Sequence, residues 1–300
     1  MDIANPIVFL ASLLGFITIA NNASIITGPL INAGYRASRS KIIASLSIIL
    51  GAVFFGKLIS TPYSCSYGSL EQVSVIIYLA TLIPFAIATL IGIPFSLSLA
   101  VIASTTSIGS IYNLSIYSWI ANVALLWFIS AVFSIVLGYY IYRFLRKIAS
   151  RSQSFRMISF SRISILATSI ALGILLGANN LGFISSISCH SYLYIIALAG
   201  GISLFLTNIS LLEGLFRMIS VRYISILSIQ ISLIVFTLIS TILGLPASLV
   251  YIQLFTLIGY RMSTILSIGF RDLIYRVSLV WILSIGSSIA VSIILSSITI

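Results

Sequence analysis

Eight polar side chains stand out in an otherwise apolar chain: Asn21, Asn22, Ser24, Ser96, Ser98, Asn179, Asn180 and Ser248. They fall into two sets. Ala20-Asn21-Asn22 returns 158 positions later as Ala178-Asn179-Asn180, and Ser96 and Ser248, 152 positions apart, each follow a Gly-x-Pro. Amides and hydroxyls donate hydrogen bonds without adding a buried charge, so a cage of them suits an anion with several oxygens. In hydrocarbon such groups need a partner from protein, water or ligand. Tying helices together is the other use of such an amide, at about 1 kcal/mol each. Repetition at equivalent places in two halves favours a shared site.

Other reactive residue types offer less. Cys189-His190 supplies two metal ligands where a zinc site takes four, so it reads as a loop. A Cys65–Cys189 disulfide is one option that sequence leaves open. The four acids, Asp2, Glu71, Glu213 and Asp272, fall at ends or in loops. We expect no metal, no cofactor and no catalytic role.

The elements that must position these groups follow from composition. With 60% hydrophobic residues, 6% charged and a mean hydropathy of +1.24, the chain is expected to be an all-α polytopic membrane protein. A net charge of +11 would suit nucleic acid, but the basic residues sit in short clusters between apolar spans, as cytoplasmic loops do. Nucleic acid is therefore excluded as a partner and the lipid bilayer expected. The N-terminus, Met1-Asp2-Ile3-Ala4-Asn5, lacks the basic start of a signal peptide and reads as a retained membrane segment.

In chain order the first apolar stretch, about Pro6 to Leu30, is interrupted by Asn21-Asn22 and Thr27-Gly28-Pro29, which predicts a discontinuous helix or a re-entrant hairpin. Further spans cover about Ile42–Ser60, Val73–Leu90, the hydroxyl-rich Phe95–Ile111, and Trp119–Tyr142. After the basic stretch come Ile163–Ile187, broken at Gly177-Ala178-Asn179-Asn180, then Tyr192–Leu212, Tyr223–Leu243, Ala247–Tyr260 and Val277–Ser297. Tyr112, Tyr117 and Trp119 near span ends fit an interfacial aromatic belt.

The halves align at the two asparagine pairs, at Gly92-Ile93-Pro94 with Gly244-Leu245-Pro246, and at Trp119 with Trp281. This divides the chain into a first repeat (1–145), a basic linker (146–162) and a second repeat (163–300). With five membrane segments per half, each counted as a crossing, and the N-terminus outside, fourteen of the fifteen basic residues fall inside and only Lys57 lies near the outer face. Five is odd, so the repeats are inverted and both termini are outside. In inverted-repeat transporters, substrate sits near the midplane against broken helices, whose N-termini carry roughly half a positive charge.

The order I-A-N-N…G-P-L, G-I-P-F-S, G-A-N-N and G-L-P-A-S, with basic loops between, resembles the inorganic phosphate transporter (PiT) family of cation-coupled phosphate permeases and their sulfate-permease relatives. The likeness runs from about Phe9 to Ala290. That family carries G-A-N-D-x-x-N in each repeat and later G-L-P-x-S-T-T-H. By this resemblance Asn21, Asn179, Ser96 and Ser248 line an oxyanion site in a permease working by alternating access, with phosphate or sulfate as substrate and a homodimer allowed. The motif aspartates are replaced by Asn22 and Asn180, the second asparagines by Ile25 and Phe183, and the S-T-T-H tails by Ser96-Leu97-Ser98-Leu99 and Ser248-Leu249-Val250-Tyr251. Sodium prefers oxygen ligands with a carboxylate among them, and proton coupling needs a titratable group in the path. Weak or absent sodium or proton coupling follows. The alternative is a degenerate relative carrying another solute, or a non-transporting membrane component.

Overall fold

The computed structural model describes residues 4–61, 71–91, 96–112, 116–150, 154–207, 223–264 and 270–299, which are helical apart from turns and short connections. In chain order the helices are α1 (Ala4–Asn22), α2 (Ser24–Asn32), α3 (Ala37–Phe55), α4 (Glu71–Ile91), α5 (Leu97–Ile111), α6 (Tyr117–Ala149), α7 (Ser154–Leu176), α8 (Gly182–Ser186), α9 (Leu193–Leu206), α10 (Tyr223–Ile242), α11 (Leu249–Ser263) and α12 (Phe270–Thr299). Among the described residues five apolar runs are long enough to cross a membrane, the longest over Tyr117–Ala149. Long apolar helices are the way a chain satisfies its own backbone in lipid. The chain is a multi-pass membrane protein.

The two broken helices are nearly continuous rods. Between α1 and α2 only Ala23 departs from helix, and it keeps right-handed dihedrals of −52° and −39°. Its carbonyl accepts the Ile26 and Thr27 N–H groups and the Thr27 hydroxyl, so the interruption is satisfied locally. Of the two forms expected for this stretch, the structure takes the discontinuous helix. Between α7 and α8 the break is a π turn over Gly177–Leu181, a single wide turn of the kind found at functional sites. The basic stretch before it is largely helical, since α6 runs on to Ala149 and α7 begins at Ser154.

Glycine lets these helices touch backbone to backbone. A Cβ on Gly51 of α3 would lie 1.9 Å from the Ile174 carbonyl of α7, and one on Gly177 would lie 2.0 Å from the Ile48 carbonyl. Gly138 of α6 and Gly259 of α11 make the same close approach, to the Thr256 and Ile135 carbonyls. Without a hydrophobic drive between helices in lipid, such small-residue contacts supply the packing.

The contacts come in pairs with the halves exchanged. α1 packs on α9 as α7 packs on α3, α4 and α5 pack on α12 as α10 and α11 pack on α6, and α1 packs on α4 as α7 packs on α10. Each half supplies five segments, two of which form a hairpin. Thr81 of α4 lies 3.4 Å from Ser104 of α5, each about equally far from the connection, so the two helices run antiparallel. Counting every segment as a full crossing sends the connections before α5 and α11 to opposite faces of the membrane. The structure instead brings the starts of α5 and α11 together.

Candidate functional site

Ser96 and Ser248 begin α5 and α11. Their backbones match, with dihedrals of −95° and 105° at Ser96 and −94° and 95° at Ser248, the extended geometry of a helix cap. Each helix is 15 residues long and has no acid in its first turn. The two serine hydroxyls lie 3.1 Å apart, so two helix N-termini face each other at the junction of the halves. Each end carries roughly half a positive charge, and the pair repel unless something negative sits between or beside them.

A polar network holds this arrangement. The Ser98 hydroxyl donates to the Ala247 carbonyl at 3.0 Å, the Ser96 N–H donates to Ser284 Oγ of α12 at 3.3 Å, and the Trp127 indole of α6 donates to the Pro246 carbonyl at 2.9 Å. Asn179, fully buried in the π turn, uses its whole amide on the same segment. Its Nδ2 donates to the Leu245 carbonyl (3.1 Å) and Thr241 Oγ1 (3.3 Å), and its Oδ1 accepts the Ala247 N–H at 2.7 Å. Asn179 therefore clamps the chain that enters α11.

The other amides are placed differently. Asn180 and Asn22 are 5% and 7% exposed, yet their side chains make no hydrogen bond to a described residue. Asn21 and Ser24 are half-buried and equally unengaged. The π turn packs against α1, since Leu181 lies against Gly15 of α1 and, with Ile19, against Gly200 of α9. Ser96, Ser98, Ser248 and Asn179 form one bonded network; Asn180 is the next residue of the π turn, and Asn21, Asn22 and Ser24 take no part in that network.

Several contributors escape a reading of motifs. Ser284 signals itself only through the serines at 284, 288, 292 and 296 of α12, all buried. Gln230 and Gln253 are buried amides in apolar runs, the same signal that picks out the asparagines. Gln230 ties α10 to α7 through Ser169 (2.8 Å) and Thr168 (2.6 Å). The departures from the family's motifs also have a structural use. Phe183 stacks on Trp119 at 6.3 Å and Tyr251 on Trp281 at 4.6 Å, so aromatic packing stands where the motifs are polar. Trp119 is half-buried against the core, whereas Tyr112 and Tyr117 are exposed.

Among the described residues no three His, Cys, Asp or Glu side chains gather as a metal site. His190 follows Cys189 in a turn where both take left-handed dihedrals, and its Nδ1 lies 2.8 Å from Ser185 Oγ. Burial holds the His190 pKa below its ordinary value, with Lys57 adding to the effect and a hydrogen bond to the Ile59 backbone opposing it. Cys189 is disulfide-bonded, while Cys65 lies outside the described residues. So do Asp2, Glu213, Arg151, Arg217 and Arg222, and the side chains of Glu71, Arg156, Arg271, Asp272 and Arg276.

Two broken helices and a polar centre of serines and asparagines where α5 and α11 meet define a multi-pass helical membrane protein. No protein-family profile matches the chain, and no curated protein matches it in sequence. Among solved structures, the sodium-dependent phosphate transporter shares the fold, with a TM-score of 0.81 over 100% of this chain and 99% of that one at 14% identity.

Proposed function

We propose that the protein is a secondary permease for inorganic phosphate or a closely related oxyanion such as sulfate, bound where α5 and α11 meet. The observation that carries this reading is the 3.1 Å approach of Ser96 and Ser248, which aims two helix N-termini at one place. The only four acids of the chain fall outside α5, α7, the π turn, α8, α10 and α11, so no carboxylate of these elements competes with an anion there. Asn22 and Asn180 supply uncommitted amide donors. The shared fold supports the same substrate class, since the solved neighbour is a phosphate transporter.

In this reading the two halves are inverted repeats, the basic clusters face the cytoplasm, both termini lie outside, and rocking of one half against the other opens the centre to alternate sides. A homodimer would use the exposed apolar surface nearer the start of α6, with Leu125, Phe128 and Val132. That neighbour's transport is sodium-dependent by name; here Asn22 and Asn180 replace the aspartates of the resembling motif, so a strict sodium requirement is not expected. Equilibrium binding of labelled phosphate to the purified protein tests the assignment. Saturable binding displaced by sulfate but not by chloride is the expected result, and the absence of displaceable binding would remove the oxyanion.

A further inference from the structure

A basic cleft lies at the far end of α6. Its last turns and the end of α11 enclose an open cleft of about 480 Å³ lined by Tyr139, Arg143, Arg146, Lys147, Ser150 and Ser263, with Met262 at its edge. Tyr142 and Tyr260, edge to face at 4.8 Å, hold the two helix ends together. Arg143 is braced in place, its guanidinium 5.4 Å above the Tyr139 ring and donating to the Tyr139 hydroxyl at 2.5 Å. Three cations share this cleft. Neither helix carries an acid, and the nearest one in sequence, Asp272, lies beyond the end of α11.

Cations in the last turn of a helix also offset its negative end, which by itself accounts for Arg146 and Lys147. The surroundings go further than that. At 33 residues α6 is about 50 Å long, well beyond the roughly 30 Å hydrocarbon core, so its basic end reaches headgroup level. One residue round the helix from the cleft, Phe133, Val136, Tyr140 and Phe144 form an exposed apolar stripe that leads up to it. A free phosphate ion has no use for such a stripe, whereas the acyl chains of a lipid lie along it.

We propose that this cleft binds the phosphate headgroup of an anionic phospholipid, with the acyl chains on the α6 stripe. Basic pockets at this level of a membrane protein suit such headgroups. The test is native mass spectrometry of the purified protein in neutral detergent, titrated with phosphatidic acid, with phosphatidylcholine of the same chains, and with inorganic phosphate. Phosphatidic acid should bind at least about tenfold more tightly than phosphatidylcholine, a difference of about 1.4 kcal/mol. Arg143→Gln/Arg146→Gln/Lys147→Gln should lose that preference. Ser150→Trp should weaken binding by filling the cleft at unchanged charge, and Arg36→Gln/Arg39→Gln, which removes exposed cations elsewhere, should leave it intact. Equal binding of the two lipids, retention of the preference in the triple variant, equal loss in the Arg36/Arg39 variant, or displacement of the lipid by equimolar inorganic phosphate would each overturn the proposal.

Discussion

Ser96 Oγ and Ser248 Oγ lie 3.1 Å apart, although 152 residues separate them in the chain. The starts of α5 and α11, one from each half, meet at this contact, and in the proposed mechanism substrate passes between the halves only if they move here. Replacing both residues with cysteine should allow a disulfide, since bridged Cβ atoms sit roughly 3.5–4.5 Å apart. Under oxidation Ser96→Cys/Ser248→Cys should cross-link and lose uptake, and reductant should restore it, with wild-type protein unaffected by the same reductant. Peptide mapping checks the bond. A cross-linked protein that still transports would place the path elsewhere.

The two adjacent asparagines of the π turn should fail differently. Asn179→Leu strands the Ala247 N–H, while the Leu245 carbonyl keeps the Ser240 hydroxyl, and leaving a buried group unpaired costs about 1–3 kcal/mol. Its thermal midpoint should fall clearly. Asn180→Leu breaks no hydrogen bond to a described residue, so its midpoint should hold while the half-saturating phosphate concentration rises about tenfold, or 1.4 kcal/mol. The reverse pattern in melting and binding curves would exchange the roles of clamp and ligand.

Much of this was legible in the sequence, and the limits have physical causes. Hydropathy marks the spans to within a few residues, because lipid demands long apolar helices; α10 and α5 fall almost where the runs Tyr223–Leu243 and Phe95–Ile111 place them. The repeat of Ala-Asn-Asn and Gly-x-Pro points to the junction where Ser96 and Ser248 meet. Hydropathy does not show that α4 and α5 pack antiparallel, since a helix buried in protein is as apolar as one that faces lipid. Nor does residue type separate Asn179 from Asn180. That division depends on which amide faces the Leu245–Ala247 backbone, a matter of helix rotation set by the π turn.

Packing of α3 on α7 depends on the bare backbone at Gly51. Gly51→Ala would place a methyl 1.9 Å from the Ile174 carbonyl, and overpacking of this kind costs roughly 1–3 kcal/mol. Gly286→Ala meets nothing within 4 Å and serves as the control. Melting in detergent should separate the two variants.

The turn holding His190 should weaken in acid. Its folded pKa is lowered from 6.5, chiefly by burial, so the neutral form is favoured in the folded protein. The unfolded state then binds more protons as the pH falls below about 6.5, and stability is lost until the lower folded pKa is passed. Hydrogen exchange over 187–192 should accelerate between pH 7.5 and 5, and His190→Asn should remove most of that dependence. Exchange with the same pH response in the variant, after correction for intrinsic rates, would assign the effect to another group.

Transport through the centre where α5 and α11 meet is tested most directly by uptake of labelled phosphate into proteoliposomes, with and without sodium and a pH gradient. Saturable uptake that competes with sulfate, persists without sodium and disappears on cross-linking Ser96→Cys to Ser248→Cys is the predicted result. Uptake of neither phosphate nor sulfate under any gradient, by protein that is folded and inserted, would contradict it.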